Sequence, residues 1–457
     1  MEANTSMNTI ERDVVIIGAG ASGLSAATSL KKAGLSVAVL EARDRIGGRL
    51  WTDTIDGQMR EIGGQWVSPD QEALIQTLAD LGLETYERYR DGDSLYISRA
   101  GELTRYTGDI FPVAAETQRE IERLIALLDT LTAEVDPEAP WTHARAEEFD
   151  NVTWKDWLSQ QTDDIEARDN IAMFIAEAML TKPAHAFSLL QALQMASSAG
   201  SFSNLVDEDF ILDKRVVGGL QQVPLTLAAN LGDDVVFLSQ PVRTVQWSAD
   251  GVTAVAESMS VKARFVIMAV PPNLYHRVSF EPPLPRRQQQ MHQHQSIGFV
   301  IKVHATYATP FWRDAGLSGT CFSPYALVHE AYDNTNHGET QGTLVGFVSD
   351  ENADRLFTLT EEERRAEILG SLATYFGDEA LSPETFYLSD WGVEEWTRGA
   401  YATSFDMGGL HRYGADMRAP VGPIYWSSSD LAGAGFQHVD GAIRIGWATA
   451  DAIIARA

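Results

Sequence analysis

The first strong hydrophobic signal along the chain is Val14-Val15-Ile16-Ile17, β-branched throughout and stopped by Gly18. With no polar residue alternating among them, these positions predict a short, fully buried parallel strand. From Leu24 to Ala33 the pattern becomes helical and ends at Gly34, and Val37 to Leu40 is a second strand that closes on Glu41. Together they predict a βαβ unit. Farther on, Ile121, Leu124, Ile125, Leu128, Leu131 and Val135 lay an apolar stripe along a helix from Glu116 to Val135. The stretch from Asn170 to Ala199 is helical in composition, with a methionine stripe that reads as core. Strand signals return at Val216-Val217, Val235 to Leu238 and Phe265 to Val270. Glu361 to Phe376 reads as a helix, begun by a capping box of Thr360 and Glu363. Lys302, in Val300-Ile301-Lys302, falls in an alternating strand and from pattern alone is an exposed residue of a half-buried element.

Between the first strand and its helix stands Gly18-Ala19-Gly20-Ala21-Ser22-Gly23. Gly18 makes the tight turn, Gly20 lets backbone approach a pyrophosphate, and Gly23 lets helix and strand pack closely. The helix then presents free N–H groups and a positive dipole end to phosphate. Glu41 follows at the distance where a carboxylate accepts hydrogen bonds from a ribose. This predicts a Rossmann-type dinucleotide site without separating one dinucleotide from another.

Length and charge narrow the field. At 457 residues the chain exceeds one ordinary core, which predicts two or more domains. A formal charge of -29 argues against nucleic acid as a partner. It is compatible either with simple solubility or with the concentration of cationic substrates. One cysteine, Cys321, excludes an intramolecular disulfide and agrees with a reducing compartment. No apolar run is long enough to span a bilayer, and the opening MEANTSMNTI lacks a signal peptide's basic and apolar regions. The expectation is a cytoplasmic protein with no membrane partner. His292, His294 and His304 lack the further ligands of a metal site, so no metal is expected and the His292-Gln293-His294 tract reads as a solvated helix face.

After Glu41 come Arg43, Gly47-Gly48-Arg49 and then Gly63-Gly64-Gln65-Trp66. A glycine pair flanked by arginines puts backbone and guanidinium groups within reach of a diphosphate. Here the chain resembles the flavin amine oxidases, whose second nucleotide contact is a GGR followed by a GG-x-W. The resemblance implies FAD, held by Gly18, Gly20, Gly23, Glu41, Arg43, Gly48, Arg49, Gly64, Gln65, Trp66 and Val242, with Val439 beside the flavin. It also implies a monoamine oxidase-like fold, α/β plus α+β, in which the FAD-binding domain (1–82, 213–290 and 391–457) is interleaved with a substrate domain of mixed sheet and helices (83–212 and 291–390). Homodimers are frequent in the family, and a homodimer is expected.

The chemistry follows from the same resemblance. Oxidising an amine removes a hydride from the carbon beside nitrogen, which needs a neutral nitrogen and a cofactor to accept the hydride. The family's lysine in a matching VIK segment, implicated in reoxidation by oxygen, corresponds to Lys302. Trp391 and Ala400 in Asp390-Trp391-Gly392 to Gly399-Ala400-Tyr401 match a flavin-contacting stretch. The mammalian members carry a flavin-linking cysteine where this chain has Ala400, so the implied FAD is noncovalent. Tyr401 matches one wall of the aromatic cage that presents the amine. His438 stands where the second aromatic wall should be, which brings in a group able to titrate near neutral pH. Asp430, in Trp426-Ser427-Ser428-Ser429-Asp430, takes the place of an acid that reaches the cofactor's polar chain. The helix starting near Gly441 would aim its positive end at the flavin.

Glu330, in His329-Glu330-Ala331-Tyr332-Asp333-Asn334, is by composition alone as consistent with a surface residue as with a buried one. The segment resembles that of the bacterial putrescine oxidases, a branch of the family, in which the matching glutamate receives the far ammonium of the diamine. That likeness runs the length of the chain, including Thr181 to Phe187 and Asp207 to Arg215. It implies oxidation of putrescine by oxygen to 4-aminobutanal, which cyclises to a pyrroline, with ammonia and hydrogen peroxide. The rivals are a polyamine or secondary-amine oxidase, an L-amino-acid oxidase, whose substrate carboxylate Glu330 would repel, and a noncatalytic FAD-binding scaffold.

Overall fold

The computed structural model describes residues 8–109, 111–208 and 210–457. The first seven residues of the segment assessed for a targeting signal, and Asp209 of the matched stretch, lie outside them. The βαβ unit forms as strand Asn8–Ile17, helix Ala21–Lys32 and strand Val37–Leu40. The strands pair in parallel from Val14 with Val37 to Ile17 with Leu40, all buried, as an uninterrupted β-branched run requires. Three later stretches join the same sheet in parallel. Met259–Met268 runs beside Asn8–Ile17, Ile424–Trp426 beside Met259–Met268, and Val236–Phe237 beside Val37–Leu40. Thr244–Ser248 and Gly251–Val255 extend it as an antiparallel meander, and Ser279–Glu281 closes its edge. Helix Val439–Ile454 packs on helix Ala21–Lys32, bringing the chain's end back onto its first helix.

The second layer is a seven-stranded sheet with the order Thr385–Ser389, Val300–Tyr307, Gly342–Ser349, Glu330–Asp333, Leu317–Phe322, Asp93–Ile97, Leu103–Tyr106. All its neighbours are antiparallel except Leu317–Phe322 with Asp93–Ile97. Its register sets Ser389 opposite Lys302, Lys302 opposite Phe347, Phe347 opposite Glu330, and Glu330 opposite Phe322. Directly opposed residues share a face, so one row of side chains crosses the sheet.

Several expectations need correction. Strand Val300–Tyr307 is buried along its whole length, because it is flanked by strands on both edges and covered on both faces. Lys302 is therefore an interior residue. The stretch Asn170 to Ala199 is two helices, Ile165–Ile175 and Leu189–Ser198, parted by the π-helical turn Ala176–Leu180, Thr181 at φ 52° and Pro183. Proline cannot continue a helix, and helical composition on either side hid the break. The His292 tract belongs to helix Arg286–Gln293, but it is no solvated face: His292 lies edge-on to Tyr275 and Trp426 at 4.7 and 5.1 Å, and burial pushes it down to about 4. His294 meets Asp406 at 2.8 Å, and His304 is buried in its strand. Helix Glu361–Phe376 carries the capping box in full, with Thr360 and Glu363 bonded reciprocally.

Candidate functional site

One cavity of about 340 Å³ runs from the first Rossmann turn to the second sheet, a volume in the range of cofactor and ligand sites. At one end its wall is Gly18, Gly20, Glu41, Arg43 and Val242; in the middle Gly48, Arg49, Gly64, Gln65, Trp66 and Ala400; at the other end Lys302, Glu330, Tyr401 and His438. Trp391 and Val439 are also on the wall.

The turn is built for an anion. The N-cap of helix Ala21–Lys32 is Gly20, with no side-chain cap and no acid in the first turn, so the helix end opens uncapped on the cavity. A Cβ on Gly20 would meet nothing within 4 Å, which leaves room for a ligand against bare backbone. Gly23 is off the wall; a Cβ there would lie 2.2 Å from the Gly18 carbonyl oxygen, so its absent side chain serves helix–strand packing. Glu41 accepts the backbone N–H of Ala19 at 2.8 Å and of Arg43 at 2.9 Å, one on each carboxylate oxygen. Each oxygen retains a lone pair for a hydroxyl.

The arginines are committed to protein acceptors. Arg43 is paired with Glu394 and donates to Thr397 at 2.7 Å. Arg49 donates to the Tyr401 carbonyl at 3.0 Å and grips Asp430 at 3.2 and 2.5 Å. Asp430 stands behind the wall, which corrects its expected reach towards a cofactor. Its oxygens are taken by Arg49, Ser428 at 2.5 Å, and the Thr403 N–H and hydroxyl at 2.5 and 2.9 Å. Burial alone would raise this carboxyl, but Arg49 and these donors outweigh it and hold it below the usual range. Its structural office is to fix Arg49 and strand Thr403–Phe405, which follows Tyr401.

Lys302 projects from the sheet towards the turn that follows strand Gln58–Glu61. Its ammonium donates to the Glu61 carbonyl at 2.7 Å, the Gly63 carbonyl at 2.8 Å and Gln65 Oε1, and lies 5.4 Å from the Trp66 ring centre. Burial pushes Lys302 down to about 7, with Glu61 opposing and Arg215 adding to the effect. Gly63 is required there, since a Cβ would sit 2.0 Å from the Arg49 carbonyl oxygen. Two strands from Lys302, Glu330 is 6% exposed and accepts the Tyr332 hydroxyl at 2.9 Å. Phe174, Met179, Met195, Phe322 and Phe347 make this end of the cavity apolar. Burial and the nearby Glu330 raise the phenols of Tyr332 and Tyr401, so both rings stay neutral.

Tyr401 lies edge-on to Phe347 at 6.2 Å. His438 caps helix Val439–Ile454, two residues earlier than expected, with its Nδ1 2.9 Å from the Phe436 carbonyl oxygen. The helix has no side-chain cap, and His438, Val439 and Ala442 place its positive end on the cavity. Sequence reasoning missed Phe347, Trp396, Gln437 and Asp70 on the wall. Phe347 lies in the apolar run of Gly342–Ser349, buried throughout, a strand signal that was there to be read. Trp396, held between Arg243 at 5.0 Å and Arg277 at 4.5 Å, gave none.

Residues 21–454 match the family of flavin containing amine oxidoreductases. A putrescine oxidase of Kocuria rosea is 61% identical over 96% of this chain and 95% of its own length. A solved structure of putrescine oxidase bound to putrescine superposes with a TM-score of 0.97 at 65% identity, over 98% of this chain and 100% of that one. Cyclohexylamine oxidase from Brevibacterium oxydans gives 0.93 at 31% identity, over 98% and 99%. With a glycine turn and an uncapped helix end on the cavity wall, and agreement along almost its entire length, this chain belongs to the flavin containing amine oxidoreductases.

Proposed function

We propose that the chain oxidises a primary diamine, with putrescine as the preferred substrate and oxygen as the final acceptor. The observation that carries this reading is Glu330: a buried carboxylate in an apolar end of the cavity, in the same sheet row as Lys302 and facing the same space. The putrescine oxidase of Kocuria rosea, alike over 96% of the chain, supports the same substrate. The overall reaction is putrescine, oxygen and water giving 4-aminobutanal, ammonia and hydrogen peroxide.

FAD, bound without a covalent link because Ala400 has no nucleophile, would lie along Gly18, Gly20, Glu41, Val242, Gly48, Arg49, Gly64, Trp391 and Val439. It supplies the two-electron acceptance that no side chain can. The protein's part is to choose the amine's protonation state and pose. One nitrogen must be neutral to react, and the other stays charged. Glu330 pairs the charged one, while the hydrophobic walls disfavour any ammonium elsewhere. Tyr401 and His438 flank the reacting end as flat surfaces, the Tyr401 phenol neutral. Lys302, next to the same end, would be the group that acts on oxygen. An amino-acid substrate would bring its carboxylate against Glu330 and is disfavoured by the same charge. With no helix among the described residues long and apolar enough to cross a membrane, the enzyme is proposed to act in the cytoplasm.

The test is the visible spectrum of purified protein under anaerobic conditions, before and after putrescine is added. Rapid bleaching of a flavin band is expected. A band that stays oxidised with putrescine but bleaches with another amine overturns the substrate; the absence of any flavin band overturns the reading entirely.

A further inference from the structure

Thr181 stands outside the cavity, yet it grips the two consecutive wall residues Ala400 and Tyr401. It is fully buried just after the π-helical turn Ala176–Leu180, at φ 52° and ψ 40°. A β-branched residue in the left-handed region is a backbone outlier, and such strain gathers at functional sites. Its hydroxyl accepts the N–H of Tyr401 at 3.1 Å and lies 2.6 Å from the carbonyl oxygen of Ala400 and 2.7 Å from that of Leu180. The single hydroxyl hydrogen is shared between those two carbonyls. Both polar atoms of the peptide that joins Ala400 to Tyr401 therefore end on one side-chain oxygen.

The contact is enclosed from the other side. A Cβ on Gly298 would fall 2.1 Å from the Thr181 oxygen and 2.9 Å from the Ala400 oxygen, so only glycine leaves room for it. The Gly298 carbonyl accepts the Ala400 N–H at 2.9 Å, and the Thr181 carbonyl accepts the Phe299 N–H at 2.9 Å. Next in sequence, Lys182 donates to the Ser296 carbonyl at 2.8 Å and the Ser404 hydroxyl at 2.7 Å, bridging the paired strands Gln295–Ile297 and Thr403–Phe405. The Tyr401 ring, by contrast, has little of its own to fix it. Its hydroxyl makes no hydrogen bond among the described residues, and Phe347 is its ring neighbour, edge-on at 6.2 Å. The pose of the ring follows its backbone, which Thr181 holds at the N–H and Arg49 at the carbonyl.

Resting on Tyr401 as a wall of the reacting end, we propose that Thr181 is a positioning residue whose hydroxyl sets the pose of Tyr401 and so that of the amine's reacting end. With the hydroxyl removed, a buried N–H and a buried carbonyl lose their partner, and the peptide turns to find others, carrying the ring with it. None of these contacts reaches Glu330, so the hold on the charged nitrogen stays as it was. The loss falls on the rate of oxidation and leaves the discrimination between amines intact.

The test uses the holoenzyme, with anaerobic flavin reduction by putrescine and by n-butylamine in Thr181→Val, the isosteric loss of the hydroxyl, and in Thr181→Ser, which keeps it. The limiting reduction rate is expected to fall about ten- to a hundredfold in Thr181→Val, the cost of misplacing a reacting group by up to about 1 Å, and equally for the two amines. The ratio of their apparent Kd values is unchanged, and Thr181→Ser recovers the rate to within about threefold of the wild type. A crystal structure of Thr181→Val shows the Tyr401 ring displaced. A lowered Tm with the reduction rate intact would show a merely structural residue and overturn the proposal. So would Thr181→Ser as slow as Thr181→Val, or a slow Thr181→Val with its ring in place. Should Thr181→Val fail to fold, Thr181→Gly removes the same hydroxyl at a backbone angle glycine adopts freely, and the same outcomes decide. If Tyr401→Ala slows reduction and Thr181→Val does not, Thr181 falls while the wall stands; if Tyr401→Ala leaves reduction unchanged, both fall.

Discussion

Replacing Glu330 by glutamine keeps the shape of the side chain and deletes one charge. Its carboxylate is 6% exposed, with Tyr332 donating to Oε2 at 2.9 Å and apolar rings of Phe322 and Phe347 on the neighbouring strands. An ammonium arriving there exchanges water for this one anion. Removing one partner of such a buried pair costs about 3–5 kcal/mol. The glutamine carbonyl returns a neutral hydrogen bond of about 1 kcal/mol, which leaves about 2–4 kcal/mol. At about 1.4 kcal/mol per decade, kcat/KM for putrescine should fall roughly thirty- to seven-hundredfold. n-Butylamine has the same carbon chain and no second nitrogen, so its kcat/KM should change by less than about threefold, within the scatter of an isosteric change. Stopped-flow flavin reduction under anaerobic conditions measures both amines on the same enzyme. Equal losses for the two would refute the anchor, because a general disturbance of the cavity does not discriminate by a remote charge. No loss for putrescine would refute it more directly.

Other consequences follow from the same geometry. Lys302→Met should slow flavin reoxidation by oxygen about a hundredfold, the cost of removing one preorganised charge, and leave flavin reduction by putrescine within a few-fold. Because burial pushes Lys302 down to about 7, the unfolded chain binds the extra proton between about 7 and the ordinary 10.5. Stability of the wild type should therefore rise across that window, and thermal melts of Lys302→Met should show the rise flattened. Acid precipitation should release all the yellow colour into the supernatant, since Ala400 offers no bond to flavin; colour retained in the pellet would contradict a noncovalent cofactor. Asp430→Asn should cost about 3–5 kcal/mol, read as a lowered Tm. Its depressed carboxyl gives that stability above about pH 4 and loses it as pH falls through the folded value, so the two proteins should converge in acid.

The nucleotide half of the site was legible because its physics is local. A β-branched strand, a glycine turn and a helix start must be consecutive to bring bare backbone to a phosphate, and Val14 to Glu41 are consecutive. The substrate half depends on pairing between strands far apart in sequence. Nothing near Lys302 says that Phe347 lies opposite it and Glu330 beyond, yet this register is what gathers them. The resemblance to a known family supplied Glu330 and Lys302; the alternation rule alone put Lys302 in solvent. Asp430 shows the opposite failure. An acid at a matching position was assigned to the cofactor, whereas Arg49, Ser428 and Thr403 take its oxygens. The break at Thr181 to Pro183 was hidden by helical composition on both sides, although the proline itself was a visible signal.

The row across the second sheet also explains why a diamine would be held in one direction. Lys302 and Glu330 are two strand spacings apart, about 9.5 Å between backbones, and carry opposite charges on one face. For a substrate with one charged and one neutral nitrogen, the ammonium is drawn to Glu330 and repelled from Lys302, so both ends favour the same orientation. At an effective dielectric of about 20 and a separation of about 10 Å, each long-range term is worth about 1.7 kcal/mol, and the contact with Glu330 adds to it. The reverse pose would forfeit the contact and place two cations at the reacting end. As pH rises through about 7 and Lys302 loses its proton, its share of this bias fades while that of Glu330 persists. Orientation would then rest on the carboxylate alone, and the proposed pose, with the neutral nitrogen beside Tyr401 and the charged one at Glu330, would survive where a lysine-dependent one would not.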